Sequence, residues 1–281
     1  MRQNQPLFPA RLHHLCLSVR EHERSLAFYR DALGLAPAPL PGTNAWVLSG
    51  GQRTLILEAG PPAQLRYAAY AVGDERQLDA LRERLRHNDI TPEASPSPLL
   101  REGAFAARDP DGGLVAFGLP RAVPGPADRL PGRLQHVVKR SAQIERITAF
   151  YRDGLGFELS DTVLEGPHQQ RAAFLRSDHE HHSFAVFHAT EPAFDHFSLE
   201  ANSWNDLRDW ADHFAGLATP LFWGPGRHGP GNNLFLMVRD PEGNAVEVSA
   251  EIETITDGRA PGVWQHNERT LNLWGGSWIR S

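Results

Sequence analysis

The sequence predicts an α+β protein made of two tandem copies of one module, each a curved mixed sheet that forms a cup. First, residues 12–35 (LHHLCLSVREHERSLAFYRDALGL) align without a gap with residues 134–157 (LQHVVKRSAQIERITAFYRDGLGF). Second, both copies end alike, with RDPDGGLVAFG at 108–118 and RDPEGNAVEVS at 239–249. Third, one helix follows the first strand of each copy, and several short strands come after it. Two matched blocks in the same order indicate an internal duplication.

The start of each copy is predicted as a strand followed by a helix. Residues 12–19 and 134–139 are short apolar runs typical of buried strands. In 24–33 and 144–155 the apolar residues are spaced by three and four, and a glycine stands where a helix C-cap is expected.

The rest of each copy is predicted as strands around a second helix. The DPDG and DPEG turns precede a closing strand in the two copies. The other predicted elements are strands at 54–58, 171–176 and 183–188 and helices at 75–87 and 204–214.

The domain organisation follows from the repeat and from one linker. We predict an N-terminal module at 8–120 and a C-terminal module at 133–250. Residues 121–132 (RAVPGPADRLPG) contain three prolines and two glycines, which is a linker composition. A tail at 251–281 holds three of the seven tryptophans, so we expect it to pack on its own module or on a neighbouring subunit.

Composition excludes several classes of protein. With 281 residues, 41% of them hydrophobic and 22% charged, the chain can fill real cores. The net charge of −6 argues against a nucleic-acid partner, and no apolar run is long enough to predict a membrane segment or a signal core. We therefore expect a soluble, cytoplasmic protein. The single cysteine, Cys16, excludes a disulfide framework and a thiolate metal cluster, whereas fourteen histidines allow a metal site of imidazole and carboxylate ligands.

Three strand positions carry the comparison of the two copies, and two of them are filled differently. The first strand carries a histidine in both, whereas later strands carry a histidine and a glutamate only in the second copy. The pairs, first copy before second, are His14 and His136, Tyr67 and His196, and Ala116 and Glu247.

These three polar residues of the second copy predict a metal site. Glu247 stands between two valines in a strand, so its carboxylate would face a sheet interior, where a charge is costly unless paired or bound to a cation. A single strand histidine is ordinarily a hydrogen-bonded core residue. Two histidines and one glutamate at matching positions instead form the 2-His-1-carboxylate set, which suits Fe(II) used with O₂.

On these residues the sequence resembles the vicinal oxygen chelate superfamily over about residues 10–250. Within it the chain is similar to the two-module type I extradiol ring-cleaving dioxygenases of the catechol and homoprotocatechuate 2,3-dioxygenase kind. Residues 224–248 (GPGRHGPGNNLFLMVRDPEGNAVEV) carry the most specific motif. The resemblance implies glyoxalase-like βαβββ modules and a metal-free N-terminal module. It also implies Fe(II), with Mn(II) as the alternative, held by His136, His196 and Glu247.

The resemblance also implies two catalytic histidines and some differences in the substrate pocket. His182, fourteen residues before His196, matches the acid/base histidine, and His228 matches a histidine that contacts the bound catechol. Relatives have a tyrosine where this chain has Met237, which offers no proton. Homoprotocatechuate enzymes use an arginine where this chain has Trp223, which favours a less anionic and more apolar ring, although Arg227 is near in sequence.

The function implied is Fe(II)-dependent extradiol cleavage of a catechol-type diol with O₂, giving a muconic semialdehyde type product, by a homo-oligomer (dimer or tetramer). Two alternatives remain. One is a divalent-metal enzyme of other chemistry, an isomerase or hydrolase. The other is a non-catalytic protein that sequesters a small ligand or drug, which we expect to purify without stoichiometric iron.

Overall fold

A computed structural model describes residues 6–256 and 258–276. It contains two mixed sheets joined by the proline-rich segment 121–132, with few helices, which confirms the predicted α+β class and the duplication. Of the predicted tail, position 257 and residues 277–281, including Trp278, lie outside the described residues. No helix of the described parts is long and apolar enough to span a membrane.

The first module contains eight strands in the order β2-β3-β4-β1-β5-β8-β7-β6. Its helices are α1 (His22–Leu33) and α2 (Glu75–His87), and its strands are β1 (Ala10–Val19), β2 (Ala36–Pro39), β3 (Ala45–Ser49), β4 (Thr54–Ala59), β5 (Gln64–Val72), β6 (Glu93–Ala94), β7 (Phe105–Arg108) and β8 (Leu114–Gly118).

The second module contains nine strands in the order β14-β15-β16-β13-β9-β12-β11-β10-β17, the last contributed by the tail. Its helices are α3 (Ile144–Ala149), α4 (Trp204–Gly216) and α5 (Glu268–Leu271). Its strands are β9 (Arg133–Ser141), β10 (Glu158–Glu165), β11 (Gln169–Arg176), β12 (Phe184–His188), β13 (Ala193–Ala201), β14 (Trp223–Arg227), β15 (Leu234–Arg239), β16 (Ala245–Ala250) and β17 (Gly262–Gln265).

One helix differs from its prediction. The helix expected over 144–155 is α-helical only to Ala149, and Phe150–Gly154 form a wider π turn. Gly154 stands where the first copy has Ala32, and a Cβ at Gly154 would lie 2.6 Å from Ile90 Cδ1. Glycine lowers helix stability and permits this close packing, so the second copy loosens where the first stays α-helical.

The repeated blocks pack the two modules against each other. The Tyr29 hydroxyl, from the first AFYRD block, donates to Asp240 Oδ2 of the second DP turn at 2.8 Å. In the other direction, burial and the charge of Asp109, from the first DP turn, hold the pKa of Tyr151 above its usual range. Among the described residues, the largest apolar cluster contains residues of both modules, and each module has one further cluster of its own. Tyr29 and Tyr151, which the two copies share, therefore serve packing between the modules.

Candidate metal centre

Three adjacent strands of the second sheet bring the predicted ligands together. His136 lies on β9, His196 on β13 and Glu247 on β16, and β13 pairs with both of the other strands. His136 Nε2 is 3.6 Å from Glu247 Oε1, and His196 Nε2 is 3.7 Å from Glu247 Oε2. One ligand atom from each residue lies within 4.8 Å of the others. The three side chains converge on one point on the concave face of the sheet.

Neighbouring side chains fix which nitrogen of each imidazole faces that point. His136 Nδ1 is 2.5 Å from Gln135 Oε1, and His196 Nδ1 is 2.6 Å from Asp195 Oδ1. Because oxygen can only accept in these contacts, each Nδ1 carries the proton and each Nε2 keeps its lone pair towards the centre. Such partners are typical of metal-binding histidines.

The protonation of His136 and Glu247 also fits a cation. Burial lowers the pKa of His136 to about 3, so its imidazole is neutral. Burial alone would raise the pKa of Glu247, but His228, His136 and His196 outweigh it and lower the pKa to about 2. Two imidazoles and one carboxylate, all buried, are the donor set of a divalent transition metal with open coordination positions.

A cavity opens above these groups. Its polar lining comes from four histidines, one glutamate and one threonine, and its remaining walls are apolar and largely aromatic. The lining residues are His136, Val138, Phe174, His182, Phe187, His196, Trp223, His228, Pro230, Glu247, Thr270 and Leu271.

Both histidines expected to act on the substrate line this cavity. The His182 ring lies 4.4 Å from the His136 ring, centroid to centroid. His228 stacks on Phe235 at 3.9 Å with its plane inclined by 3°, and its Nδ1 is 2.5 Å from the Leu271 carbonyl oxygen. Its Nε2 is 3.5 Å from Glu247 Oε2. The ring is thus held on one side by the backbone and presents its other nitrogen to the centre.

The three residues predicted for the substrate pocket have different positions. Trp223 lines the cavity. Met237 is fully buried on β15, where it pairs with Glu247 of β16 on one side and with Trp223 of β14 on the other. It is not among the cavity-lining residues.

Arg227 is not brought to the cavity. Its guanidinium donates to Glu251 Oε2 at 2.7 Å and to the Asn232 carbonyl oxygen at 2.6 Å, and it lies over the Trp274 ring. Proximity in sequence to His228 therefore does not bring Arg227 to the cavity.

Sequence reasoning missed the part of the wall that the tail supplies. β17 pairs in parallel with β10 at the sheet edge, and the next residues carry Thr270 and Leu271 to the cavity. The tail has no counterpart in the first copy, so the repeat gave no signal for it. Phe174 and Phe187, on β11 and β12, could have been found from strand alternation with a known register.

A buried hydrogen-bond network connects the metal centre to a second glutamate, Glu200. Ser198 Oγ donates to Glu247 Oε1 at 3.0 Å, Ser249 Oγ lies 2.9 Å from Ser198 Oγ, and Ser249 Oγ lies 2.5 Å from Glu200 Oε2. Three O···O hydrogen bonds need three protons, and the two serine hydroxyls supply two. The network is therefore complete only when Glu200 is protonated. Burial raises the pKa of Glu200 to about 7, in agreement with this count.

Glu200→Gln is expected to reduce the pH dependence of stability. Because the folded pKa of about 7 lies above the usual 4.5, stabilisation by the neutral carboxyl is complete at low pH and is lost as pH rises to 7. The loss is on the order of 3 kcal/mol. The variant should therefore exceed the wild type in free energy of unfolding at pH 8.5 and match it near pH 4.5, in urea titrations. An unchanged pH dependence, equal to that of the exposed-site control Glu102→Gln, would contradict this.

The comparisons with known proteins agree with the fold. Part of the chain is 32% identical to Metapyrocatechase 2 of Cupriavidus necator over 192 residues, which is 66% of this chain and 56% of that protein. The match therefore spans little more than half of that relative. The chain is 27% identical to Metapyrocatechase of Pseudomonas sp. (strain CF600) over 258 residues, with 84% of each protein covered.

Solved structures share the fold. Homoprotocatechuate 2,3-dioxygenase from Arthrobacter globiformis superposes with a TM-score of 0.83 at 21% identity, covering 99% of this chain and 92% of that one. The Mn(II)-bound glyoxalase from Novosphingobium aromaticivorans gives 0.79 at 24% identity, covering 95% and 92%. Residues 11–117 and 133–248 match the family described as Glyoxalase/Bleomycin resistance protein/Dioxygenase superfamily. The resemblance stated from the sequence is thus confirmed, and the chain belongs to this superfamily.

Proposed function

We propose that this protein is an extradiol dioxygenase that cleaves an uncharged, apolar-substituted catechol with O₂. The observation that carries the proposal is the convergence of His136, His196 and Glu247 on the floor of an aromatic-walled cavity that also presents His182 and His228. The similarity to proteins named metapyrocatechase supports the same reaction class.

The metal we assign to the three ligands is Fe(II), with Mn(II) as the alternative. The donor set suits either ion, and its carboxylate and imidazoles leave positions open for other ligands. When bound, the metal supplies a template that holds the diol oxygens and O₂ side by side and carries electrons between them.

His182 is proposed as the general base. It lies against His136, so a diol bound at the centre would bring a hydroxyl within its reach. Burial, with His136 and His181 nearby, holds the pKa of His182 well below its usual range, which keeps the ring neutral and able to accept a proton. The proton taken from the second hydroxyl is returned during ring opening.

His228 is proposed to hold a substrate oxygen. Its Nδ1–H donates to the Leu271 carbonyl oxygen, which leaves Nε2 as the ring nitrogen available to a diol hydroxyl. Met237 contributes no proton where relatives have a tyrosine. Among the described residues that line the cavity, His182, His228 and Thr270 are then the polar side chains left to contact the substrate beside the ligands.

The substrate class follows from the remaining walls. Phe174, Phe187, Trp223 and Leu271 offer apolar and aromatic surface to a ring and its substituent. The described lining contains neither lysine nor arginine, and Arg227 is paired elsewhere. A neutral catechol with an alkyl or aryl substituent therefore fits better than one bearing a carboxylate.

The proposal is tested by loading the metal-free protein with Fe(II) under anaerobic conditions and then supplying a panel of catechols and O₂. We expect one O₂ consumed per diol and a yellow muconic semialdehyde type product, followed by absorbance. Stoichiometric iron without O₂ uptake on any diol, but with isomerase or hydrolase turnover, would favour the other metal-dependent chemistry. Tight ligand binding without retained metal would favour a sequestering protein.

The oligomer expected from the resemblance, a dimer or tetramer, stays a prediction. Sedimentation equilibrium of the full chain would measure it.

A further inference from the structure

Behind His182, away from the cavity, lie two more buried titratable residues. His181 Nδ1 is 3.0 Å from His182 Nδ1. On its other side, His181 Nε2 is 3.1 Å from Asp161 Oδ2, without meeting full hydrogen-bond geometry. Asp161 and His181 are both completely buried. The three side chains form a continuous row, Asp161–His181–His182, that ends in the cavity.

Asp161 is an ionised acceptor. Its Oδ1 accepts from the Gly262 backbone N–H at 3.0 Å and from Arg259 Nη2 at 2.9 Å, and its Oδ2 accepts from Trp264 Nε1 at 2.6 Å. Burial alone would raise the pKa of this carboxyl, but His181, Trp264 and Arg259 outweigh it and lower the pKa to about 2. An ionised carboxylate has no proton to donate.

Because Asp161 can only accept, it determines which nitrogens of His181 and His182 donate. If His181 Nε2 lacked a proton, its lone pair would face the Asp161 carboxylate in a buried environment, which is costly. Its proton therefore sits on Nε2, and its Nδ1 is the acceptor in the contact with His182. The remaining contact then requires that His182 Nδ1 donates, which leaves His182 Nε2 unprotonated.

We propose that Asp161 and His181 are positioning residues that hold His182 with Nδ1 protonated and Nε2 bare towards the cavity, ready to accept a proton. That the donor is a diol hydroxyl rests on the proposed function. In this step the O–H bond breaks, its electron pair stays on the substrate oxygen, and an N–H bond forms at His182 Nε2. The imidazolium is stabilised by His181 and, through it, by the Asp161 charge.

The same carboxylate ties the row to the tail. Arg259, Gly262 and Trp264 all come from the segment that continues into the cavity wall at Thr270. Docking of the tail thus supplies part of the cavity wall and three hydrogen-bond donors to Asp161. A variant that weakens tail docking alone is therefore a necessary control.

The test uses the full chain and four variants. His181→Phe removes the contacts with both Asp161 and His182. Asp161→Asn supplies an N–H donor to His181 and so reverses the direction of the hydrogen bonds in the row. His181→Asn keeps a side-chain oxygen that can accept from His182 Nδ1–H. Trp264→Phe removes one tail contact and leaves the row intact. The tautomer is read from ¹H–¹⁵N correlations of histidine-labelled, Zn(II)-loaded protein, with the His182 signals assigned by their loss in His182→Gln.

We expect the Nδ1–H tautomer of His182 in the wild type and in Trp264→Phe, and a shift to Nε2–H in Asp161→Asn. In the Fe(II) protein, kcat should fall about 100-fold in His181→Phe with KM changed less than about 3-fold, as for loss of an oriented general base. His181→Asn should recover at least about tenfold of that loss.

Two results would overturn the inference. One is a His182 that is protonated at Nε2 in the wild type, and the other is an unchanged tautomer and kcat in both His181→Phe and Asp161→Asn. If the wild type shows the Nδ1–H tautomer and its shift in Asp161→Asn but cleaves no diol, the positioning of His182 stands and the proposed function fails.

Discussion

Glu247→Ala is expected to abolish both metal retention and turnover. The substitution removes the one anionic donor of the set. Only the two imidazole nitrogens of His136 and His196 then remain to hold a divalent cation. We expect metal affinity to fall more than about 100-fold and turnover at least about 1,000-fold, since loss even of a supporting partner of a ligand costs 10- to 100-fold. Metal content after gel filtration and O₂ uptake measure the two effects.

Thermal unfolding separates this result from misfolding. A cation that binds only the folded state stabilises it by about 2.7 kcal/mol at 100 times its dissociation constant. Wild type and the exposed-site control Glu102→Ala should therefore gain a higher Tm on adding Mn(II), whereas Glu247→Ala should fold cooperatively and gain none. Full iron content and full turnover in Glu247→Ala would contradict the assigned site.

The second large effect concerns the charge of the substrate. We expect kcat/KM for an alkyl-substituted catechol to exceed that for a carboxylate-bearing catechol by at least about 100-fold. An unpaired carboxylate loses several kcal/mol of hydration in such a cavity, and every 1.4 kcal/mol is a factor of ten. The described wall offers no compensating lysine or arginine.

Variants at Trp223 test the cause of that preference. Trp223→Arg places a cation in the wall and should raise the relative kcat/KM for the carboxylate-bearing catechol at least about tenfold. Trp223→Phe keeps an apolar ring and should retain the preference for the uncharged diol. Equal kcat/KM values for both substrates in the wild type would contradict the substrate class proposed here.

Much of the fold could be predicted from the sequence because the chain contains it twice. The α2 helix was predicted with its observed bounds, Glu75–His87, and the first strand of each module was predicted within a few residues. The offsets between copies also predicted that Tyr67 and His196 occupy equivalent positions of the two modules. The strand registers agree, because Tyr67 pairs with Leu114 and His196 pairs with Ala245. The π turn at Phe150–Gly154 was not predicted, and the close approach of Gly154 to Ile90 of the first module is a contact that the sequence does not record.

The sequence by itself determined the duplication, the cup-shaped fold and the candidate residues His136, His196, Glu247, His182 and His228. These are local or periodic features, in which a residue differs from its counterpart in the other copy or matches a motif. Only the tertiary structure decided which other residues join them. Asp161 lies twenty residues before His181, on the edge strand that the tail covers, and Arg227 turns away from the cavity that its neighbour His228 enters. Strand pairing and side-chain direction bring distant residues together, and a sequence records neither of them.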